Sequence, residues 1–316
     1  MKAWLTAPTN RFHLPESLKI VNMAGGLGNQ MFQYAFATML QQHFPEDQVM
    51  VDTQHYHTLL FKKFRSVNLH NGYEISRLFA NATLPVARRE DLRRVTRHIP
   101  NYVLSRLARH LLPRLKTEYV APYTENFMLR DDVLTPGDRY YEGYWECHAY
   151  YAGMKPLLRH VFTPPKPNAY NEEMCKRIEQ SDSIGIHVRR GDYKNAPEYN
   201  GICTTEYYAE ALRRATKTGS QHTIFVFSND ISWCRSHLPA MAGGQQMEFV
   251  DGNRGVDSCW DMFLMTHCRQ LVIANSTFSW WGAFLNPRAE HVFAPGTWLH
   301  RDCPIEIHAP EWEKIH

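Results

Sequence analysis

The sequence predicts an α/β fold of two doubly wound, Rossmann-like domains facing each other across a cleft, and three observations predict it. Short β-branched runs alternate with helical periodicity along most of the chain, the pattern of parallel sheets wrapped on both faces. A glycine turn, Gly25, Gly26 and Gly28, joins the first apolar run to the first amphipathic one. The proline-rich stretch Thr163 to Asn168 (TPPKPN) breaks the alternation near mid-chain and divides residues 1–165 from 166–316. A chain of 316 residues has room for two domains of roughly 150 residues each.

In order, residues 1–16 read as an irregular lead-in. A strand over Leu18 to Met23, the glycine turn, a helix from Asn29 to His43 and a strand over Gln48 to Asp52 follow. A strand, glycine turn and helix aim backbone N–H groups at an anion. Met31 stands where the third glycine of GxGxxG belongs, which weighs against a dinucleotide-binding dehydrogenase. From Ala87 to Lys116 nine Arg or Lys face only Glu90 and Asp91. Within this run Tyr102 to Leu112 forms a helix with Leu104, Leu107 and Leu111 on one face and Arg106 and Arg109 on the other. Such a run reads as a solvated surface helix; the sharper alternative is a face that approaches anionic lipid or a lipid-linked glycan. Tyr140 to Trp145 (YYEGYW) reads on its own as core, and a helix over Tyr150 to His160 ends the first half.

The second half alternates more regularly. Helices are expected over Ala169 to Glu179, Thr204 to Thr216, Ile231 to Leu238, Val256 to Cys268 and Ser279 to Leu285. Strands are expected over Ser183 to Val188, Thr223 to Phe227, Met247 to Val250, Gln270 to Ala274 and His291 to Phe293.

Composition narrows the function. An apolar share of 44% and a charged share of 21% belong to a globular protein with a core. A net charge of +3, from 35 basic and 32 acidic side chains, is too small to bind nucleic acid through global charge. Seven dispersed cysteines without a CxxC pair point to free thiols in a reducing compartment. The first thirty residues hold no apolar signal or spanning segment, so a cytoplasmic protein is expected, with residues 87–116 available to touch the inner membrane face. No DxD motif or His/Cys cluster stands out, so neither a cofactor nor a metal is expected.

Loops after strands gather at the C-terminal edge of a parallel sheet, where ligands bind. Three follow strands in the second half: HVRRGDY (His187 to Tyr193), FSND (Phe227 to Asp230) and ANSTFSWW (Ala274 to Trp281). Arg189 and Arg190 are guanidinium forks suited to phosphate. Ser276 and Thr277 stand at a helix start, where hydroxyls serve either as caps or as phosphate ligands. Asp261, in a helical first turn, serves either the helix dipole or a nucleobase amide. Asp192, on the arginine loop, reads as a general base with Glu198 and Glu146 behind it, or as an ion-pair partner of Arg189 or Arg190.

The segments GGLGNQMFQYAFA (Gly25 to Ala37), GYW (Gly143 to Trp145), HVRRGDY, GICTTEYY (Gly201 to Tyr208), FSNDISWC (Phe227 to Cys234) and DMFLMTHCRQLVIANSTFSWWGAFLN (Asp261 to Asn286) together resemble the α-1,2-fucosyltransferases of glycosyltransferase family 11. The resemblance implies a GT-B architecture with the acceptor domain first, and metal-independent, inverting transfer of L-fucose from GDP-fucose to O2 of a β-galactoside. It places Arg189 on the β-phosphate, Arg190 in support, His187 and Asp261 on the guanine, and Asn275, Ser276, Thr277 and Asp230 around the nucleotide. Gly26, Asn29, Gln30, Trp145 and Glu146 fall on the acceptor side. Glu146 replaces the Gln expected after GYW, and the extension before residue 18 and the 87–116 run match no family motif. Animal members carry a membrane anchor, so a bacterial enzyme acting on a lipopolysaccharide repeat or similar glycan is implied. The HxRRxD loop also resembles that of α-1,6-fucosyltransferases, and a non-catalytic GDP-sugar or glycan binder is the reading from another class.

Overall fold

The computed structural model describes residues 17–57, 71–217 and 219–316; the expected lead-in over 1–16 and the Asp192 side chain lie outside the described residues. Leu18–Asn22 (β1), Gln48–Asp52 (β2), Glu118–Val120 (β3) and Arg139–Glu142 (β4) form a parallel sheet in the order β2-β1-β4-β3. Ser183–Val188 (β5), Thr223–Ser228 (β6), Gln246–Phe249 (β7), Gln270–Val272 (β8), His291–Pro295 (β9) and Glu313–Ile315 (β10) form a second, also parallel, in the order β10-β9-β8-β5-β6-β7. Every residue of β1 and β5 is buried, as expected of strands covered on both faces.

Helices of seven or more residues are Leu27–His43 (α1), Arg89–Val95 (α2), Tyr102–Leu111 (α3), Lys155–Val161 (α4), Ala169–Gln180 (α5), Thr205–Ala215 (α6), Ile231–His237 (α7), Cys259–Met265 (α8) and Thr277–Leu285 (α9). Asn101, Asn168, Thr204 and Asp230 cap α3, α5, α6 and α7, each side chain accepting from the backbone N–H three residues on. The helix expected over Tyr150 to His160 instead begins at Lys155, with Pro156 in its first turn, where a missing N–H costs nothing. The helix expected over Val256 to Cys268 is cut to α8 behind a 3₁₀ turn at Gly255–Ser258. Strands β3 and β10, three residues each in polar sequence, carry no apolar alternation that would announce them. No helix of the described residues is long and apolar enough to cross a membrane.

Helix α9 (TFSWWGAFL) is apolar on all sides and is buried between the sheets. Phe32 of α1 lies 4.5 Å from the Trp280 ring and 4.9 Å from the Trp281 ring. Trp281 Nε1 donates to the Gly28 carbonyl at 2.9 Å, and Thr277 Oγ1 donates to Asn29 Oδ1 at 2.7 Å. The N-termini of α1 and α9 therefore touch. An ideal Cβ on Gly28 would lie 2.5 Å from Thr277 Oγ1 and 2.6 Å from its carbonyl carbon, so this glycine is dictated by backbone approach. Gly28→Ala is expected to destabilise the protein by about 3 kcal/mol, because backbone has to move. The check is a lower urea midpoint at unchanged m; an unchanged midpoint contradicts the close approach.

Helix α3 forms where the sequence places it but is turned over relative to a solvated surface helix. Arg109 is only 2% exposed, whereas Leu104, Leu107 and Leu111 are 49%, 48% and 77% exposed. The cause is Glu142, at the end of β4. Its carboxylate accepts from Arg109 Nε at 2.6 Å and Arg106 Nε at 3.1 Å, and lies 3.2 Å from His110 Nε2. Arg109 also lies over the Tyr140 ring, 4.8 Å from its centroid. A buried carboxylate left unpaired costs several kcal/mol, more than exposing part of three leucines. Arg109 therefore turns inward with Tyr102 and Ser105, while Arg106 stays exposed.

Candidate active site

The strand orders determine where a ligand can bind. In the first sheet the chain passes from β2 to β3 at the far edge and returns through β4, so the order reverses between β1 and β4. In the second it runs β5, β6, β7 one way and then crosses to β8, β9, β10, so the order reverses between β5 and β8. Ligands of open parallel sheets bind outside the carboxyl ends of strands at such reversals. The turn after β1 carries Gly26 and leads into Asn29 in the first turn of α1, the loop after β4 carries Glu146, that after β5 carries Arg189, and that after β8 carries Asn275 and Ser276 and leads into Thr277 at the start of α9. All of these residues line one cleft of about 860 Å³, together with His187, Asp230 and Asp261.

On the second sheet's side, Ser276 begins α9 with no side-chain cap bond, which leaves the first-turn N–H groups and the Ser276 hydroxyl at the cleft wall, the Thr277 hydroxyl being given to Asn29. Asn275 is held by Nδ2 donating to the Trp298 carbonyl at 3.1 Å. Arg189 lies over the Tyr193 ring, 5.5 Å from its centroid, and Tyr193 Oη donates to the Asn275 carbonyl at 3.1 Å, so the arginine loop is tied to the serine loop. His187 is 4% exposed, and burial, assisted by the Arg189 charge, pushes its imidazole down to about 3. It is neutral, and its Nδ1 has no hydrogen-bond partner among the described residues. Burial pushes the Asp261 carboxyl up to about 7, against the stabilising hydrogen bond that Asn253 Nδ2 donates at 2.9 Å. Asp230 caps α7, and although burial opposes it, the Trp233 N–H, Lys194 and Arg190 hold its carboxyl below the usual range.

On the first sheet's side, Glu146 is 7% exposed at the cleft, and burial pushes its carboxyl up to about 8. The side chain is aimed by Trp145, which adopts φ 59° and stacks on Phe36 with centroids 4.0 Å apart and planes 4° apart. A bulky residue holds a left-handed backbone only when its surroundings enforce it. Here Tyr151 Oη also donates to the Trp145 carbonyl at 2.7 Å.

Three expected cleft residues lie elsewhere. Trp145 is 2% exposed and belongs to the core, as the aromatic run read alone. Gln30 is fully buried: its Nε2 donates to the Gly25 and Gly72 carbonyls and its Oε1 accepts from the Glu74 N–H, so the amide stitches α1 to the following turns. Arg190 stacks on Trp233, 4.0 Å from the ring centroid, with Nε 3.9 Å from Asp230 Oδ2; it braces the loop from outside the cleft. Sequence reasoning missed Asn253 and Tyr193. An Asn after a short strand and a Tyr beside the arginines are weak signals without their partners.

The family model for glycosyl transferase family 11 matches residues 21–316. The chain belongs to glycosyltransferase family 11. Within this family it is 29% identical over 293 residues to an alpha-1,2-colitosyltransferase of Escherichia coli, covering 90% of this chain and 94% of that protein. It is 25% identical over 306 residues to the O-antigen biosynthesis glycosyltransferase WbnK of Escherichia coli, covering 92% and 98%. It is 24% identical over 283 residues to galactoside alpha-(1,2)-fucosyltransferase 2 of Oryctolagus cuniculus, covering 86% and 68%. This family 11 glycosyltransferase therefore has the GT-B arrangement, two parallel α/β sheets presenting their C-terminal loops to one cleft.

Proposed function

We propose that the chain transfers L-fucose from GDP-β-L-fucose to the 2-hydroxyl of a terminal β-galactoside, with inversion at C1 and without a metal. The observation that carries this reading is the opposition of two sets of groups across the cleft: Arg189 with the α9 N-terminus on one wall, and the desolvated carboxyl of Glu146 on the other. The first wall suits a diphosphate and the second a hydroxyl that loses a proton. The names of the relatives in Escherichia coli and rabbit support the α-1,2 linkage and an oligosaccharide acceptor of the O-antigen kind.

In this mechanism Arg189, the Ser276 hydroxyl and the free N–H groups of α9, that of Thr277 among them, hold the diphosphate, while the Thr277 hydroxyl is spent on Asn29 Oδ1. Neutral His187 and Asp261 face the guanine, whose amide donors favour the ionised form of Asp261. As the bond from C1 to the diphosphate oxygen breaks through an oxocarbenium-like state, the acceptor O2 bonds to the opposite face of C1. Its proton passes to Glu146, and GDP leaves with the bonding electrons. Glu146 is preferred over Glu198, which lies outside the cleft lining; Asp192, whose side chain lies outside the described residues, is weighed against it by mutation. Positive charge at the leaving oxygen comes from Arg189 and the helix N-terminus.

A second reading follows from the relative named for colitose, the 3-deoxy counterpart of L-fucose. One experiment separates the readings. GDP-fucose and GDP-colitose are each incubated with a panel of β-galactosides, with and without EDTA, and product linkage is read by NMR. An α-1,2-fucosylated product formed equally in EDTA is expected. A preference for GDP-colitose replaces the donor, an α-1,6 product replaces the linkage, loss in EDTA overturns the metal-free mechanism, and no turnover with either donor leaves a binding protein.

A further inference from the structure

The inverted helix α3 leaves an apolar face that nothing in the described fold covers. Leu104, Leu107 and Leu111 project from it, and Leu112 beyond its end is 49% exposed. Four large leucines at this exposure on consecutive turns form a patch of the kind that marks an interaction surface. The charge along this stretch of sequence has one sign. From Arg97 to Thr117 the chain contains no Asp or Glu, and it carries Arg97, Arg106, Arg109, Arg114 and Lys116. Of these, Arg109 is consumed inside by Glu142, whereas Arg106 keeps a 52% exposed side chain. Arg114 and Lys116, just past the leucines, are exposed and have no ion-pair partner among the described residues.

The position of the helix gives the patch a meaning. Tyr102 Oη donates to Asn22 Oδ1 at the end of β1, and Arg109 reaches Glu142 at the end of β4. These are the two strands after which Gly26, Asn29 and Glu146 enter the cleft. The leucine face thus lies beside the acceptor wall of the site.

We propose that this face docks on a bilayer surface bearing anionic phospholipid, the leucines entering the interface and the basic side chains meeting headgroup phosphates. Leucine on one side with arginine and lysine at the margin is the composition of a helix lying in a membrane interface. A second copy of the chain is a poorer occupant, because a twofold pairing on this face would set the same cations against each other. Docking would hold the acceptor wall close to glycans carried on lipid.

The test is vesicle co-sedimentation, read without any transfer reaction and so independent of the donor and linkage. The full chain is mixed with vesicles of phosphatidylcholine plus phosphatidylglycerol, or of phosphatidylcholine alone, and compared with the triple variant Leu104→Ser, Leu107→Ser, Leu111→Ser. The replaced side chains are exposed, and circular dichroism together with the urea midpoint verifies folding. Binding to the anionic vesicles that weakens as salt rises, with a drop of about tenfold or more in the folded triple variant, is the expected result. Absence of wild-type binding to anionic vesicles overturns the proposal, as does equal binding by the triple variant. A concentration-dependent dimer that the triple variant abolishes, without vesicle binding, also overturns it and assigns the face to self-association.

Discussion

Replacement of Arg189 by alanine is expected to lower kcat by about two to three orders of magnitude, the usual cost of removing one preorganised donor from developing negative charge. The guanidinium stands at the C-terminal end of β5, at the reversal point of the second sheet, and lines the cleft opposite Glu146. Its stack on Tyr193, and the bond from Tyr193 to the Asn275 carbonyl, preset its position before substrate arrives. Charge on the leaving diphosphate grows as the C1 bond breaks, so the loss should fall on kcat more than on KM. Arg190→Ala is the internal control. That side chain packs on Trp233 outside the cleft, and its removal should cost much less. GDP release with a β-galactoside acceptor measures both, and an Arg189→Ala variant within tenfold of wild type would remove the charge-stabilising role.

The second large effect concerns Glu146. A carboxylate accepts a proton only when ionised, and burial has pushed this group up to about 8. Below that value the carboxyl is protonated in most molecules, so kcat/KM should rise about tenfold per pH unit up to about 8 and level off above it. Glu146→Gln keeps the shape and removes the base. It should cost about two to four orders of magnitude in kcat and remove its share of the rising limb. The charged and titratable groups around Glu146 are Tyr123, Tyr144, Tyr151 and Tyr199, all with phenols raised by burial and so neutral across this range. Asp261, on the nucleotide side of the same cleft and pushed up to about 7, titrates in this range too, so the part of the limb that Glu146→Gln removes is the part that belongs to Glu146. If Asp192→Asn removes the limb and Glu146→Gln keeps it, the base is Asp192.

Both predictions use residues that the sequence had marked, but with different emphasis. Asp192 is the more obvious base because it shares a loop with the arginines, a relation visible in a string of letters. Glu146 is more than forty positions away from that loop, and it joins Arg189 in one cleft only because the loops at the β1/β4 and β5/β8 reversals line it together. Its raised pKa arises from surrounding aromatic rings brought together by packing. Gln30 shows the opposite case: a polar residue on a glycine turn reads as a ligand, yet its amide is spent on Gly25, Gly72 and Glu74.

What the sequence determined by itself was local. Alternating periodicities settled two parallel sheets, since a strand that feeds a helix and returns has few other solutions. Strand-end positions brought Arg189, Ser276 and Thr277 to one edge, and ordered motifs settled the family. The tertiary structure decided everything that depends on a distant partner. Glu142 drew Arg109 inward and left the α3 leucines outside, and Thr277 made Gly28 obligatory. Phe36 and Tyr151 held Trp145 in a backbone conformation that swings Glu146 into the cleft. In each case the deciding term is the desolvation or close contact of a group by residues remote in sequence, which no periodicity along the chain encodes.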